Sequence, residues 1–200
     1  ADEHDLHVGC KRVARLMRED GISPRKRRRF VSTTDSSHGL AVAPNVLDRA
    51  FRVTSLDTVW VGDITYIPTR KGWLYLAVLL DLCSRKVVGW STSASLAEEL
   101  TLEALDRALL ERRPAPGLLH HTDQGSQYAS DEYQKKLEQR GLVPSMSRKG
   151  NCWDNAPTES FFNSLKNERV HGRRYRTREE ARADVFDYIE RFYNPKRRHS

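Results

Sequence analysis

Apolar residues along this chain follow two distinct periods, and each period marks a different element. Between Lys11 and Asp20, Val13, Leu16 and Met17 recur at i, i+3 and i+4, with Arg12, Arg15 and Arg18 off the stripe; this predicts a short basic helix that Gly21 ends. Residues 32–48 have no period and are rich in Ser, Thr, Asp, Gly and Pro, the composition of a linker. From Val59 to Pro68 the period is two: Val59, Val61, Asp63, Thr65 and Ile67 share one face of a predicted strand, and Trp60, Gly62, Ile64 and Tyr66 share the other. Arg70-Lys71-Gly72 predicts a turn, Trp73 to Leu82 a strand apolar on both faces, and Lys86 to Ser91 a third strand after the turn at Cys83-Ser84-Arg85. Trp60 and Trp73 are both assigned to packing.

Leu96, Leu100, Ala104 and Ala108, with Leu105 and Leu109 beside them, predict a helix over 96–110 that the Pro/Gly stretch at 113–117 breaks. A short strand follows at 118–121, then a helix over 130–140, a strand over 142–146, a helix from about 156 to Glu168 capped by Asp154 or Asn155, and a last helix from the Thr177 cap to about Tyr193. The order from residue 57 is β-β-β-α-β-α-β-α-α. A meander followed by strand–helix alternation predicts the α/β class, with a mixed five-stranded sheet flanked by helices. This is the element order of the ribonuclease H-like fold. The predicted organisation is a basic helical segment over 1–31, a linker over 32–55 and a core domain over 56–200.

Two hundred residues suffice for such a core without disulfides. No run of 18 apolar residues predicts a membrane span, and the first residues lack the apolar stretch of a signal peptide, so a cytoplasmic location is expected. Cys10, Cys83 and Cys152 are odd in number and widely spaced, which argues against a disulfide framework or a zinc ribbon. The charge is unevenly laid out. Residues 1–56 hold 11 Lys/Arg against 7 Asp/Glu, residues 57–165 hold 12 against 14, and residues 166–200 hold 11 against 6. Basic flanks around a slightly acidic centre suit a polyanion such as DNA. The block Arg25, Lys26, Arg27, Arg28 and Arg29 is the densest piece of that charge.

Among 27 acidic residues, placement singles out three. Asp63 lies mid-strand among apolar neighbours, where a lone carboxylate is costly. Asp123 ends a strand and opens a Gly/Ser-rich loop, the position at which α/β sheets gather ligands. Glu159 lies in the first turn of a helix. Brought together, three carboxylates repel one another, and divalent cations with hard oxygen ligands resolve that repulsion. Mg²⁺ fits, and two such ions can activate a nucleophile and stabilise a leaving oxygen in phosphoryl transfer.

The stretches Trp60–Tyr66, Trp73–Arg85, His121–Tyr128 and Ser145–Ala156, followed by Glu159–Lys166, resemble the transposases of the "insertion sequence three" family, orfB product, which carry a retroviral-integrase-like core. Thirty-five residues separate Asp123 from Glu159, the spacing of that family. The resemblance implies that Asp63, Asp123 and Glu159 form a DDE catalytic triad binding two Mg²⁺ ions, for which Mn²⁺ substitutes. It implies nicking of a transposon end, attack by the freed 3′-hydroxyl on DNA, passage through a circular intermediate, and a homo-oligomer assembled on transposon ends and target DNA. It also makes Lys11–Ile22 similar to the end of a helix-turn-helix region. The chain then starts too late to hold that whole motif and stops before the family's last short motif, so a truncated fragment is expected.

Lys166, seven residues after Glu159 on the same helix face, is expected to meet DNA phosphate. Asn155, Gln127, Tyr128, Arg148 and Lys149 are expected to contact DNA near the acids, although Asn155 also suits a helix cap and Tyr128 also suits the core. His121 fits proton transfer or a structural strand-end role. The alternatives to a transposase are a ribonuclease H-fold nuclease that only hydrolyses, and a non-catalytic DNA-binding remnant.

Overall fold

The computed structural model describes residues 9–22, 38–148 and 152–197. The chain divides into two units, Ala1–Val31 and Ser32–Ser200. In the first, helix α1 spans Cys10–Glu19. Gly21 ends it at φ +67°, a left-handed conformation that glycine adopts without a Cβ clash, and the N–H of Ile22 closes the turn on the Met17 carbonyl at 2.7 Å. Arg25 to Arg29 and residues 32–37 of the expected linker lie outside the described residues.

The second unit is built on strands β1 (Val59–Thr69), β2 (Gly72–Asp81), β3 (Val87–Ser93), β4 (Leu119–Thr122) and β5 (Val143–Met146). Its helices are α2 (Glu98–Arg112), α3 (Ser126–Ala129), α4 (Asp131–Gln139), α5 (Ala156–Leu165) and α6 (Arg178–Phe186). The sheet order is β3-β2-β1-β4-β5. The first three strands form the antiparallel meander, and β4 and β5 run parallel to β1. Two helices extend into π-helical turns, α5 through Lys166–Val170 and α6 through Asp187–Tyr193. Among the described residues no helix is long and apolar enough to cross a membrane.

Each face of the sheet carries its own core. Val61, Ile67, Leu76, Val78 and Leu80 pack with Phe161, Leu165, Val185 and Tyr188 of the α5 and α6 layer. Trp60, Ile64, Ala77 and Leu79 pack with Leu100, Leu105, Ala108, Tyr133 and Leu137 of the α2 and α4 layer. The unbroken apolar run of β2 follows from this, since its two sets of alternating residues serve opposite cores. Asp81 ends β2 fully buried and satisfied: it accepts from Ser84 N–H at 2.8 Å, Ser84 Oγ–H at 2.6 Å and Asp57 N–H at 3.0 Å. The β2–β3 turn is thereby tied.

Residues 43–53 of the expected linker are packed on this unit. Leu47 is buried with Val61 and Phe161, Phe51 and Val53 lie against the same cluster, and the N–H groups of Val46 and Leu47 donate to Ser145 Oγ at 2.9 and 3.2 Å. Their apolar side chains are too few and irregular to show a period, so composition alone reads as linker.

Helix α2 lies so close over β3 that a Cβ on Gly89 would stand 2.7 Å from Ala108 Cβ and 2.9 Å from its backbone nitrogen. Neither neighbour is a flexible side-chain end. Gly89→Ala is expected to destabilise the fold by about 1–3 kcal/mol through overpacking; chemical denaturation measures this, and an unchanged midpoint would show that the helix can shift.

Candidate active site

The parallel pairing of β1 with β4 is brief: Val59, Trp60 and Val61 stand opposite Leu119, His120 and His121. Past that point β1 runs on to Thr69 paired with β2, while β4 ends at Thr122. The strands fork. Carrying the register two residues beyond Val61 and His121 sets Asp63 opposite Asp123, on the sheet face that bears Val61. Two carboxylates remote in sequence thus meet at the mouth of the fork. Helix α5 lies over the same face through Phe161, Phe162 and Leu165, and carries Glu159 in its first turn.

Local bonds orient the two aspartates. Asp63 Oδ1 accepts from its neighbour's backbone, Ile64 N–H, at 2.7 Å, and Asp123 Oδ1 accepts from Gly125 N–H at 2.9 Å. Burial holds the Asp63 carboxyl well above its ordinary value; Asp123 pushes the same way, the Ile64 bond opposes, Glu159 adds to the rise and Lys166 works against it. Burial also raises Glu159. Lys166, whose Nζ lies 5.2 Å from the centre of the Tyr66 ring, is lowered by burial and raised by Asp63. Two further carboxylates oppose the charge on Asp63 and one ammonium supports it. One ammonium group therefore faces an excess of negative charge.

The donor set is all carboxylate oxygen, which suits a hard divalent cation and not zinc. Among the described residues, however, no group of three His, Cys, Asp or Glu side chains is arranged to hold a metal ion as it stands. Asp63 feels Asp123 more strongly than Glu159. A surface hollow lies elsewhere, at the β3 edge, lined by Val87, Trp90, Arg107, Leu110, Phe186 and Asn194. The acids occupy an open sheet edge, which suits a polymer better than a small molecule.

With this geometry in place, comparison with known proteins is direct. An integrase core domain model matches residues 53–152, and a second integrase core domain model matches residues 159–200. The insertion element IS600 31 kDa protein of Shigella sonnei is 47% identical over 198 residues, covering 99% of this chain and 73% of that protein. The transposase InsF for insertion sequence IS3A of Escherichia coli is 46% identical over 190 residues, covering 95% of this chain and 66% of InsF.

The chain belongs to the integrase-core transposases of the insertion-sequence-three family.

Its fold is the ribonuclease H-like fold of retroviral integrase cores. The integrase catalytic core of HTLV-2, solved in complex with magnesium, superposes with a TM-score of 0.52 at 18% identity, over 70% of this chain and 90% of that one. For this transposase chain, the remaining expected site residues divide by their surroundings. Lys166 stands in the acid corner. Gln127 and Tyr128 do not line an open groove: both are buried in α3, and Gln127 Nε2 donates to the Leu96 carbonyl at 3.0 Å. Asn155 is buried too and makes no side-chain cap on α5. Arg148 is exposed but committed, donating to Asp154 at 3.1 Å and to Asp48 at 2.9 Å. Lys149 lies outside the described residues. His121 is buried, Nδ1 bonded to Ser145 Oγ at 2.8 Å, and burial pushes it down to about 4 against the pull of Asp154; it is neutral at pH 7 and tied into the sheet.

Two features escape sequence reading. Asp154, almost wholly buried, gathers Arg49 Nε at 2.8 Å, Asn45 Nδ2 at 3.0 Å and Arg148, clamping residues 45–49 to the turn that leads into α5 and Glu159. The only local signal is an Asp in the Cys-Trp-Asp-Asn stretch. The Tyr128 hydroxyl is buried without a hydrogen-bond partner among the described residues, and both Asp63 and Asp123 act on it electrostatically.

Two outcomes follow from these environments. Because the folded Asp63 carboxyl binds a proton that the unfolded chain has already released, stability falls as pH rises from about 4 towards the raised value. Without divalent metal, Asp63→Asn is expected to raise Tm at pH 7 by about 2–4 °C, the shift that about 1 kcal/mol gives in a domain of this size, and to give no rise near pH 4. A lower Tm at pH 7 contradicts the charge excess. Tyr128→Phe removes an unpartnered hydroxyl, so stability in denaturant stays level or gains up to about 1 kcal/mol; a clear loss would reveal a partner for that hydroxyl.

Proposed function

We propose that this chain is the catalytic core of a DNA transposase that cuts insertion-sequence ends and joins the freed 3′-hydroxyl to target DNA. The observation that carries the reading is that Asp123 and Glu159, remote in sequence, both act electrostatically on the buried Asp63 in an integrase-core family member. Asp63, Asp123 and Glu159 are the residues that would hold divalent ions, Mg²⁺ or Mn²⁺, two in number. Glu159 reaches the pair by turning its long side chain from the start of α5. Such ions, when bound, acidify the attacking hydroxyl or water and neutralise charge on the leaving oxygen.

The chain's own groups do the rest. The acids fix where the scissile phosphate lies, since it must sit at the mouth of the fork. Lys166, lodged between Tyr66 and Asp63, offers its ammonium to a phosphate oxygen beside that point. The bonds from Ile64 N–H to Asp63 and from Gly125 N–H to Asp123 orient the two carboxylates. In joining, the 3′-oxygen forms a new bond to phosphorus, the phosphorus–oxygen bond to the target's 3′ side breaks, and the departing oxygen takes up a proton. The reading further divides the chain into a DNA-binding piece over 1–31, a linker over 32–55 and the core over 56–200, working as a homo-oligomer on DNA in the bacterial cytoplasm. The chain spans 66–73% of the two relatives named, and the activity of the whole protein is part of the same proposal.

The test supplies purified chain with a pre-cut transposon end, supercoiled target DNA and Mg²⁺ or Mn²⁺. Joined products are expected, falling at least about a thousandfold in Asp63→Asn, Asp123→Asn and Glu159→Gln, as expected when about 4 kcal/mol of transition-state stabilisation is removed. Cleavage without joining favours a nuclease. Binding with neither favours a non-catalytic remnant, and either result overturns the proposal.

A further inference from the structure

Several arginines of the core are answered by an acid. Arg112 meets Asp57 at 2.8 Å, Arg49 and Arg148 meet Asp154, Arg169 and Arg173 meet Asp184, and Arg197 meets Glu168 at 3.0 Å. The far end of the β1–β2 hairpin differs. There Thr69 bridges to Tyr175 in parallel and Arg70 N–H donates to the Tyr175 carbonyl at 3.0 Å, which draws residues 173–176 alongside the hairpin turn. Arg178 Nε bonds the Trp73 carbonyl at 2.9 Å, and Arg182 Nε bonds Thr92 Oγ1 at 2.9 Å. Arg70, Lys71, Arg174, Arg176, Arg178 and Arg182 are thus gathered without a salt bridge to any carboxylate among the described residues. Two acids share this end and leave the cations in excess: Glu180 accepts from Arg176 N–H at 2.7 Å, and Glu179, held first by its own backbone N–H and by Thr177, also feels Lys71 and Arg182 without a salt bridge to either.

This patch connects to the acid corner. Trp73, expected in the core, is 48% exposed, and its ring meets Tyr66 edge-on with centroids 4.7 Å apart. Tyr66 in turn lies beneath the Lys166 ammonium. From Asp63 to Thr69, β1 runs six residues without β4 beside it, about 20 Å at strand rise. That length matches about six base-pair steps of duplex at 3.4 Å each. A merely solvated surface gains nothing from concentrating six like charges around an exposed indole, since they repel one another. A phosphate backbone lying along them does.

We propose that this face is a sequence-independent cradle for duplex DNA, holding the arm that leads away from the scissile phosphate, with Arg70, Lys71, Arg174 and Arg176 on phosphates and Trp73 against the sugar edge. The inference rests on the transposase reading for what lies at the acids, and adds where the adjoining duplex runs.

The experiment measures binding of a fluorescent duplex, about three helical turns long, by anisotropy over a salt series without divalent metal. Arg70→Ala, Lys71→Ala and Arg174→Ala are combined in one variant. Affinity at about 0.1 M salt is expected to fall at least tenfold, and the slope of log affinity against log salt to shrink by about 2–3, one unit per lost phosphate contact. An unchanged slope overturns the cradle, including the case where the patch serves an acidic protein. If the triple variant melts early, Lys71→Glu alone, at an exposed turn position, is read for a slope change of about one or more, and no change again overturns it. Asp63→Asn separates the two readings. Cradle loss with strand cutting intact in Asp63→Asn sinks the function and keeps the cradle; unaltered binding in the triple variant with cutting abolished in Asp63→Asn does the reverse.

Discussion

Like charges held together in a partly buried corner are the constraint on which the rest of this structure turns. The short β1–β4 pairing sets Asp63 against Asp123 at a fork, and burial makes their mutual repulsion expensive. Lys166 offsets part of it. A fold that aimed only at stability would put an apolar pair at that register. Keeping the acids there is a standing cost, and under the proposed function cations supplied from solution lower it.

Much of the surrounding architecture holds that corner in place. Each sheet face has its own core, so β1 and β2 are fixed from above and below. The close approach of α2 at Gly89 locks the meander on one side. On the other, the Asp154 clamp joins the strap at 45–49 to the turn before α5.

The elements were legible because their apolar periods are local. All five strands and the helices α1, α2, α4, α5 and α6 lie within a few residues of where alternation and caps place them, the Thr177 cap included; Ser130, expected inside its helix, caps it instead. Helix α3 has four residues, too few to show a period. The π-helical turns after α5 and α6 continue the same buried faces, so pattern alone reads them as more helix. Asp63 was legible as a mid-strand acid, Asp123 as a strand-end one and Glu159 as a first-turn one, while their partnership is what the resemblance implies. What stayed hidden is non-local. Gln127 and Tyr128 lie near Asp123 in sequence yet turn inward. Arg148 looks free until Asp154 and Asp48 are seen beside it. Trp73 opens an apolar run and looks buried, but it begins its strand at an uncovered hairpin end.

Viewed together, the site is an edge and not a pit: acids at one end of an unaccompanied stretch of β1, exposed aromatic and basic groups at the other. The central claim is that Asp63 and Asp123 form a cation-gripping pair. Anomalous diffraction from crystals of this chain equilibrated with Mn²⁺ tests it most directly. Manganese density touching both aspartates, with Glu159 turned towards it, is the predicted result. Full manganese occupancy elsewhere in the same crystals, with this corner empty and the Asp63 carboxyl bonded to Lys166 instead, would contradict it.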